Sequence, residues 1–329
     1  MRLNRLITAS VAVALALGLS GCGVGLGTAG GFTKSGTLAG PVAGVHGLKG
    51  ASFGVGSKNF TESIILGKMT VILLKSAGAD VKDLTNIPGS AASRQALLVN
   101  QIQFSWDYTG TGWLTYLGQD KPIPDEHKQY IAARDLDLKE HDLVWLPPTP
   151  MNDTYDFAIS PQSAKKYGIT KLSEISKVPP AERTFCVEDE FTNRPDGLEG
   201  MLKTYGLPLG APNGIPRKNL KTLQAGAIYD ATAKNQCTFG EVYTTDGRIQ
   251  ALHLTALEDD KSFFPKYNGS LVVPKATMDK YPEIKKLFAP VAPKLTNDVI
   301  SKLNAEVDVD GREPADVAYE WLHQQGLVK

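Results

Sequence analysis

The stretch SFGVGSKNFTE, residues 52–62, decides the fold of this chain. Its first five residues, Ser52–Gly56, are small or apolar and predict a short buried strand. A turn at Lys58 follows, and apolar residues then recur at helical spacing until Gly78. Strands that lead through short turns into helices build α/β proteins. The stretch therefore predicts an α/β fold.

The turn also suggests a binding role for Lys58. Its positive side chain would stand beside the free backbone N–H groups of a helix N-terminus, an arrangement that attracts anions. The alternative is an ordinary strand–helix turn with a solvated lysine. On this fragment alone both interpretations stay open.

A second motif lies at Phe104–Gly112. Aromatic and polar residues alternate from Phe104 to Tyr108, which predicts a strand that ends at the glycine-rich turn Thr109–Gly112. Tyr108 would lie where glycines let a ligand approach the backbone closely. A single aromatic residue at a strand end is more often part of the core, and this alternative also stays open.

Further candidate elements alternate along the rest of the chain. They lie at Asp156–Ser160, Thr184–Val187, Leu198–Tyr205, Leu220–Lys234 and Thr238–Tyr243. Such alternation in both halves predicts largely parallel sheets. The charged, proline-bearing stretch Asp120–Leu146 is interpreted as a surface insertion with helical pieces.

The N-terminal residues predict export and lipidation. Two arginines precede the apolar run Leu6–Leu19, which is too short to span a membrane and is typical of a signal peptide. The sequence LSGC that ends at Cys22 resembles the lipobox of bacterial lipoproteins. We therefore expect a signal peptide over residues 1–21 and an acylated Cys22 that holds the protein on the extracytoplasmic face of the cell membrane. An ordinary secretory signal with an incidental cysteine is the alternative.

The segment 22–50 is rich in Gly, Ala, Thr and Val and shows no apolar period. This composition predicts a flexible tether. From about Ala51 onward the composition is that of an ordinary folded protein, and its length suits two lobes.

Charge and cysteine content narrow the function. Lys and Arg number 35, as do Asp and Glu, so the net charge is zero and nucleic acid is not an expected partner. Beyond Cys22 the only cysteines are Cys186 and Cys237, and in an exported protein two cysteines favour one disulfide over a metal site. The five histidines show no metal-ligand spacing, and we expect neither a metal nor a cofactor.

Six motifs in order resemble those of the substrate-binding lipoproteins of osmoprotectant ABC importers. They are GSKNFTE at 56–62, DYTGTG at 107–112, NDTY at 152–155, RPDG at 194–197, YTTDGR at 243–248 and FPKYN at 264–268. Proteins of this family bind glycine betaine, proline betaine, carnitine or choline. The resemblance implies a periplasmic-binding-protein-like fold of type II, in which two α/β lobes joined by a two-stranded hinge close over a cleft. Lobe 1 would comprise 51–155 and 248–329, and lobe 2 would comprise 156–247.

The resemblance also implies a ligand site. Four tyrosines would form an aromatic box around a quaternary ammonium, which has no N–H to donate and is held by π faces and carbonyl oxygens. These are Tyr108, Tyr155, Tyr243 and Tyr267, and the backbone carbonyl of Asp153 would complete the box. Lys58, Thr111 and Arg194 would bind a carboxylate on the same ligand. The implied partners are this small ligand and a membrane permease with its ATPase, served by a monomeric binding protein that is not an enzyme.

The sequence leaves three alternatives to this function open. Choline alone or ergothioneine could occupy the same fold, because an aromatic box accepts any trimethylammonium group. An exported hydrolase would need a nucleophile and a base, yet the sequence has no G-x-S-x-G or H-E-x-x-H motif. An adhesin or structural protein of the cell envelope is the third alternative.

Overall fold

The structure is a computed structural model that describes residues 33–329. Its strands are β1 (Ser52–Lys58), β2 (Asp80–Ile87), β3 (Ser105–Tyr108), β4 (Leu143–Trp145), β5 (Tyr155–Ile159), β6 (Phe185–Val187), β7 (Leu220–Thr222), β8 (Phe239–Tyr243), β9 (Thr255–Ala256) and β10 (Gly269–Pro274).

The helices in this part of the chain are α1 (Thr61–Ser76), α2 (Ser90–Leu98), α3 (Glu126–His141), α4 (Pro161–Tyr167), α5 (Asp189–Asn193), α6 (Leu198–Thr204), α7 (Ala225–Ala233), α8 (Arg248–Ala251), α9 (Lys275–Lys280), α10 (Glu283–Phe288), α11 (Asn297–Asp308) and α12 (Pro314–Gln324). A π-helix spans Thr111–Tyr116. Short 3-10 helices lie at Gly40–Val42, Leu172–Lys177, Pro180–Glu182, Arg217–Asn219 and Ala292–Lys294.

The strands form the cores of two α/β lobes. In the first lobe, β1 and β2 pair in parallel, and β10 pairs antiparallel with β3 and β4. In the second lobe the strand order is β7-β6-β8-β5-β9. There β6 runs parallel to β7 and β8, whereas β5 runs antiparallel to β8 and β9. The sheets are therefore mixed, and the expectation of largely parallel sheets is wrong.

Two segments cross between the lobes. The chain leaves the first lobe through 151–154 and returns through 264–268, and the two crossings pair at Asn152 and Asn268. This is the two-stranded hinge. The predicted return at 248 is wrong, because β9 still belongs to the second sheet and the Leu257 N–H donates to the Phe157 carbonyl. A two-residue strand is too short to recognise in a sequence.

The predicted tether is also wrong in its described part. Leu38, Val42, Val45 and Leu48 are buried, and the Ala39 N–H donates to the Leu327 carbonyl at 2.9 Å. Residues 37–39 therefore pair with the C-terminal end of the chain, and Val42, Val45 and Leu48 join the hydrophobic core. Turns and a single 3-10 helix give these apolar residues no period that a sequence pattern could reveal. Cys22 and the predicted signal peptide lie outside the described residues.

The stretch Asp120–Leu146 is more than a surface insertion. It contains α3, and it ends in β4, which extends the first-lobe sheet. Asp137 in α3 is fully buried and accepts hydrogen bonds from Arg94 and from the Trp145 indole. This buried pairing fixes α3 to the sheet.

Helix α1 fills the centre of the first lobe. Ile65, Leu66 and Met69 are fully buried, as is most of its remaining surface. A helix that is apolar on nearly all sides belongs in a core. No helix within residues 33–329 combines the length and the apolar character needed to cross a membrane.

In the second lobe Cys186 and Cys237 are joined in a disulfide with a Cα–Cα distance of 5.8 Å. Cys186 lies in β6, and Cys237 lies between α7 and β8. Both are fully buried. The bond ties β6, the second strand of this sheet, to the segment that joins α7 to β8.

Candidate ligand-binding site

A single cavity between the lobes is lined by all eight residues that the motifs single out. They are Lys58, Tyr108, Thr111, Asp153, Tyr155, Arg194, Tyr243 and Tyr267. Asn59, Phe60, Ser90, Glu188 and Glu190 complete the lining. Positions separated by more than 200 residues in the chain thus meet at one place.

The ends of strands bring these residues together. Lys58 ends β1, Tyr108 ends β3, and Tyr243 ends β8. In α/β folds, ligands bind outside the carboxyl ends of the strands. Asp153 and Tyr267 come from the two hinge crossings, so both lobes and the hinge contribute to the cavity.

The aromatic rings lie within contact distance of one another. The Tyr155 ring centroid lies 5.3 Å from that of Tyr243 and 5.6 Å from that of Tyr267. Phe60 stacks on Tyr243 at 5.2 Å and lies 5.9 Å from Tyr108. Phe60 therefore bridges the tyrosines of the two lobes and adds a fifth ring to the cavity wall.

A glycine permits this close packing. A Cβ atom at Gly110 would lie 2.8 Å from the Tyr267 ring and 2.8 Å from the Lys266 carbonyl oxygen. Only glycine lets the returning hinge crossing lie this close to the turn after β3.

Hydroxyl groups of the tyrosines bond to carboxyl groups behind the rings. Tyr108 donates to Glu62 Oε1 at 2.6 Å, and Tyr243 donates to Glu188 Oε2 at 2.9 Å. Tyr267 donates to Asp196 Oδ2 at 2.5 Å. Burial raises the pKa of all three tyrosines above the usual 10, so the hydroxyls keep their protons and remain donors.

Both predicted cationic groups already have carboxylate partners. Lys58 Nζ lies 2.9 Å from Asp107 Oδ1 and 4.9 Å from the Tyr108 ring centroid. Arg194 makes two parallel hydrogen bonds to Asp196, at 2.8 and 2.6 Å, and another to Glu190 at 3.2 Å. The cavity therefore does not contain uncompensated positive charge.

Several contacts cross the cleft. Glu190 of the second lobe accepts hydrogen bonds from the backbone N–H and the hydroxyl of Ser90, at the N-terminus of α2 in the first lobe. Arg194 donates to the Thr111 hydroxyl at 3.3 Å. Because Arg194 also donates to Glu190, these contacts form one connected polar group between the lobes.

Thr245 links two buried carboxyl groups. Its hydroxyl oxygen lies 2.6 Å from Glu62 Oε2 and 2.7 Å from Asp153 Oδ1. One hydroxyl carries one hydrogen, so Thr245 donates to only one of them and the other carboxyl must be protonated to donate in turn. Burial raises the pKa of Glu62 to about 7 and that of Asp153 well above its usual value, the latter with help from the Glu62 charge.

The residues that support the predicted ones were not predicted from the sequence. Phe60 and Glu62 lie in the opening stretch, and Asp196 follows Arg194 by two positions in the RPDG motif. Their position inside the quoted motifs was the one signal that could have marked them as part of the site. Glu188 and Glu190 lie outside every quoted motif, and nothing in the sequence points to them.

The comparisons with known proteins agree with this architecture. Residues 52–324 match the model of the family described as the substrate-binding domain of ABC-type glycine betaine transport systems. The chain belongs to this family. It is the extracytoplasmic substrate-binding component of an ABC-type import system, and at the level of the family it is a transport protein rather than an enzyme.

Individual relatives differ in the ligand that their names state. A glycine-betaine-binding protein of Pseudomonas aeruginosa is 35% identical over 83% of this chain and 88% of its own. An ergothioneine transport permease/ergothioneine binding protein of Helicobacter pylori is 28% identical over 83% of this chain and 47% of its own.

Among solved structures, a glycine betaine/carnitine/choline ABC transporter protein aligns with a TM-score of 0.67 and 29% identity. The alignment covers 83% of this chain and 98% of that one.

Proposed function

We propose that this protein captures a small quaternary ammonium compound, glycine betaine or a related betaine, and delivers it to a membrane permease for osmoprotection. The observation that carries the proposal is the single cavity in which four tyrosines and three polar donors converge. Each ring that faces a desolvated cation contributes up to about 2 kcal/mol. Several rings together are sufficient for a micromolar site after the costs of association.

The donors that lie beside the aromatic rings suit a carboxylate. An ammonium group has three N–H donors, and Lys58 directs one of them to Asp107. The others, with the Thr111 hydroxyl and the Arg194 guanidinium, are available to a ligand carboxylate. A betaine carries this group within a few bonds of its ammonium.

Choline is the second candidate, and the charge pairing in the cavity favours it. Because Lys58 and Arg194 are already paired with Asp107 and Asp196, a ligand without a carboxylate would not leave them uncompensated. Glu188 and Glu190 add negative charge to the lining. Ergothioneine, named for one relative, is also a trimethylammonium carboxylate and belongs in the same comparison.

Isothermal titration of the purified chain with glycine betaine, carnitine, choline and ergothioneine tests the proposal. We expect glycine betaine to bind more tightly than choline, and Tyr243→Ala to weaken it about tenfold or more. Tyr319→Ala is the control, because this half-buried tyrosine lies on α12 outside the cavity. Tighter binding of choline would support the second candidate, and no binding of any of the four would refute the proposal.

We also infer that acylation of Cys22 anchors a monomeric protein to the membrane. Replacing Cys22 by Ala should release the protein into the soluble fraction. If the variant remains with the membranes, another segment anchors the chain.

A further inference from the structure

The hydroxyl groups of the aromatic box end on acidic residues from three different segments. Glu62 lies in the first turn of α1, Glu188 follows β6, and Asp196 lies between α5 and α6. They accept hydrogen bonds from Tyr108, Tyr243 and Tyr267 respectively. Each of three separate segments thus places a carboxyl group against the hydroxyl of a tyrosine that lines the cavity.

Two of these carboxyl groups, those of Glu62 and Asp196, are held in place on their far sides. The second oxygen of Glu62 is hydrogen-bonded to Thr245, and Asp196 is fixed by two bonds from Arg194. Glu62 and Asp196 are buried, and Glu188 is half-buried. The positions of the Glu62 and Asp196 carboxyl groups are therefore set by the fold and do not depend on a ligand.

A carboxylate behind a phenol changes the ring in two ways. The charge-assisted O–H···O⁻ bond fixes the plane of the ring, because the phenol oxygen lies in that plane. It also draws the hydroxyl proton away and increases the electron density of the ring, which strengthens the attraction between the π face and a cation. Neither effect requires contact between the carboxylate and the ligand.

We propose that Glu62, Glu188 and Asp196 are positioning residues that make the aromatic box select a cation over a neutral group of the same shape. The inference rests on the proposed function and deepens it. It assigns part of the charge recognition to these carboxylates, which add to the attraction that the π faces themselves exert on a cation.

A pair of isosteric ligands tests this assignment. Glycine betaine and 3,3-dimethylbutanoate have the same shape and the same carboxylate, but the second has a carbon atom in place of the ammonium nitrogen. The ratio of their dissociation constants measures the preference for the cation. Titration at pH 8 keeps Glu62 largely ionised, since burial raises its pKa to about 7.

Because Glu188 also lines the cavity, Tyr243→Phe is measured as well: it breaks the bond to Glu188, keeps the Glu188 charge and should also lower the ratio. Glu188→Gln, the main variant, replaces a half-buried side chain. We expect it to lower the ratio roughly three- to tenfold, and Asp196→Asn to act in the same direction. Glu182→Gln is the matched control: Glu182 accepts a hydrogen bond from Tyr167 at 2.6 Å, and this pair does not line the cavity. The control should leave the ratio unchanged.

Two outcomes would overturn the inference while leaving the proposed function intact. Glu188→Gln could weaken the binding of both ligands equally, which would indicate that Glu188 has a purely structural role. It could also leave both affinities unchanged. If the unaltered chain fails to bind glycine betaine at all, the proposed function fails and the inference fails with it.

Discussion

Tyr108 and Tyr243 face the same cavity, but their hydroxyls satisfy acidic groups of different burial. Glu62 is 2% exposed, whereas Glu188 is partly open to water. A buried acceptor that loses its donor costs about 1–3 kcal/mol, and an accessible one recovers a hydrogen bond from water. The role of a tyrosine in this site therefore depends on what lies behind its ring.

This difference predicts unequal effects of two conservative substitutions. Tyr108→Phe should lower the free energy of unfolding by about 1–3 kcal/mol, and Tyr243→Phe by less than about 1 kcal/mol. Chemical denaturation of both variants at one pH measures the effect. Equal losses would show that the burial of the acceptor does not matter here.

Glu62 makes stability depend on pH. Its pKa is raised from the ordinary 4.5 to about 7, chiefly by burial, so the folded state binds more protons than the unfolded state between these values. The contribution of protonated Glu62 to the free energy of unfolding is complete below about pH 4.5 and is lost as the pH rises to about 7.

The unaltered protein should therefore lose up to about 3 kcal/mol of stability across this range relative to Glu62→Gln. Denaturant titrations of both proteins at pH 4.5, 5.5, 6.5 and 7.5 measure the difference. A constant difference across the series would mean that Glu62 keeps its ordinary pKa.

Among the elements, the disulfide acts on the sheet of the second lobe. It closes a loop with a sequence separation of 51 residues, which spans α5, α6, β7 and α7. A loop of this length stabilises the folded state by roughly 4 kcal/mol on the chain-entropy model.

The variant with Cys186→Ala and Cys237→Ala should have a free energy of unfolding lower by roughly 4 kcal/mol, as measured by chemical denaturation. Intact mass after alkylation without reduction should show no modified thiol at either position in the unaltered protein. Labelling at both positions would contradict the bonded pair.

At the scale of the whole molecule, polar contacts cross the cleft beside the stacked rings of Phe60 and Tyr243. Glu190 with Ser90, Arg194 with Thr111 and Thr245 with Glu62 hold the lobes together around the cavity. A ligand that contacts both lobes shifts the population toward the closed arrangement through its differential affinity for it.

We therefore expect glycine betaine to reduce the radius of gyration of the soluble Cys22→Ala chain in small-angle scattering. The same ligand should leave the Tyr155→Ala variant unchanged, because Tyr155 faces both Tyr243 and Tyr267 from the hinge end of β5. An unchanged curve for the unaltered site at saturating ligand would contradict closure.

The sequence by itself determined the α/β fold class, through residue period and glycine-rich turns. The hinge and eight of the residues that line the cavity were implied by the resemblance of six short motifs to a known family. In these motifs the functional residue and its turn are adjacent in the chain. Contacts between elements leave no such signal.

Only the tertiary structure decided the rest. It extended the second lobe to β9 and placed residues 37–39 against the C-terminal end. It paired Lys58 with Asp107 and Arg194 with Asp196. It also placed Glu62 and Glu188 behind Tyr108 and Tyr243. The physical reason is that burial and hydrogen-bond partners depend on which distant segments meet. In the sequence, an acidic residue that accepts a hydrogen bond from a tyrosine therefore cannot be distinguished from an ordinary surface charge.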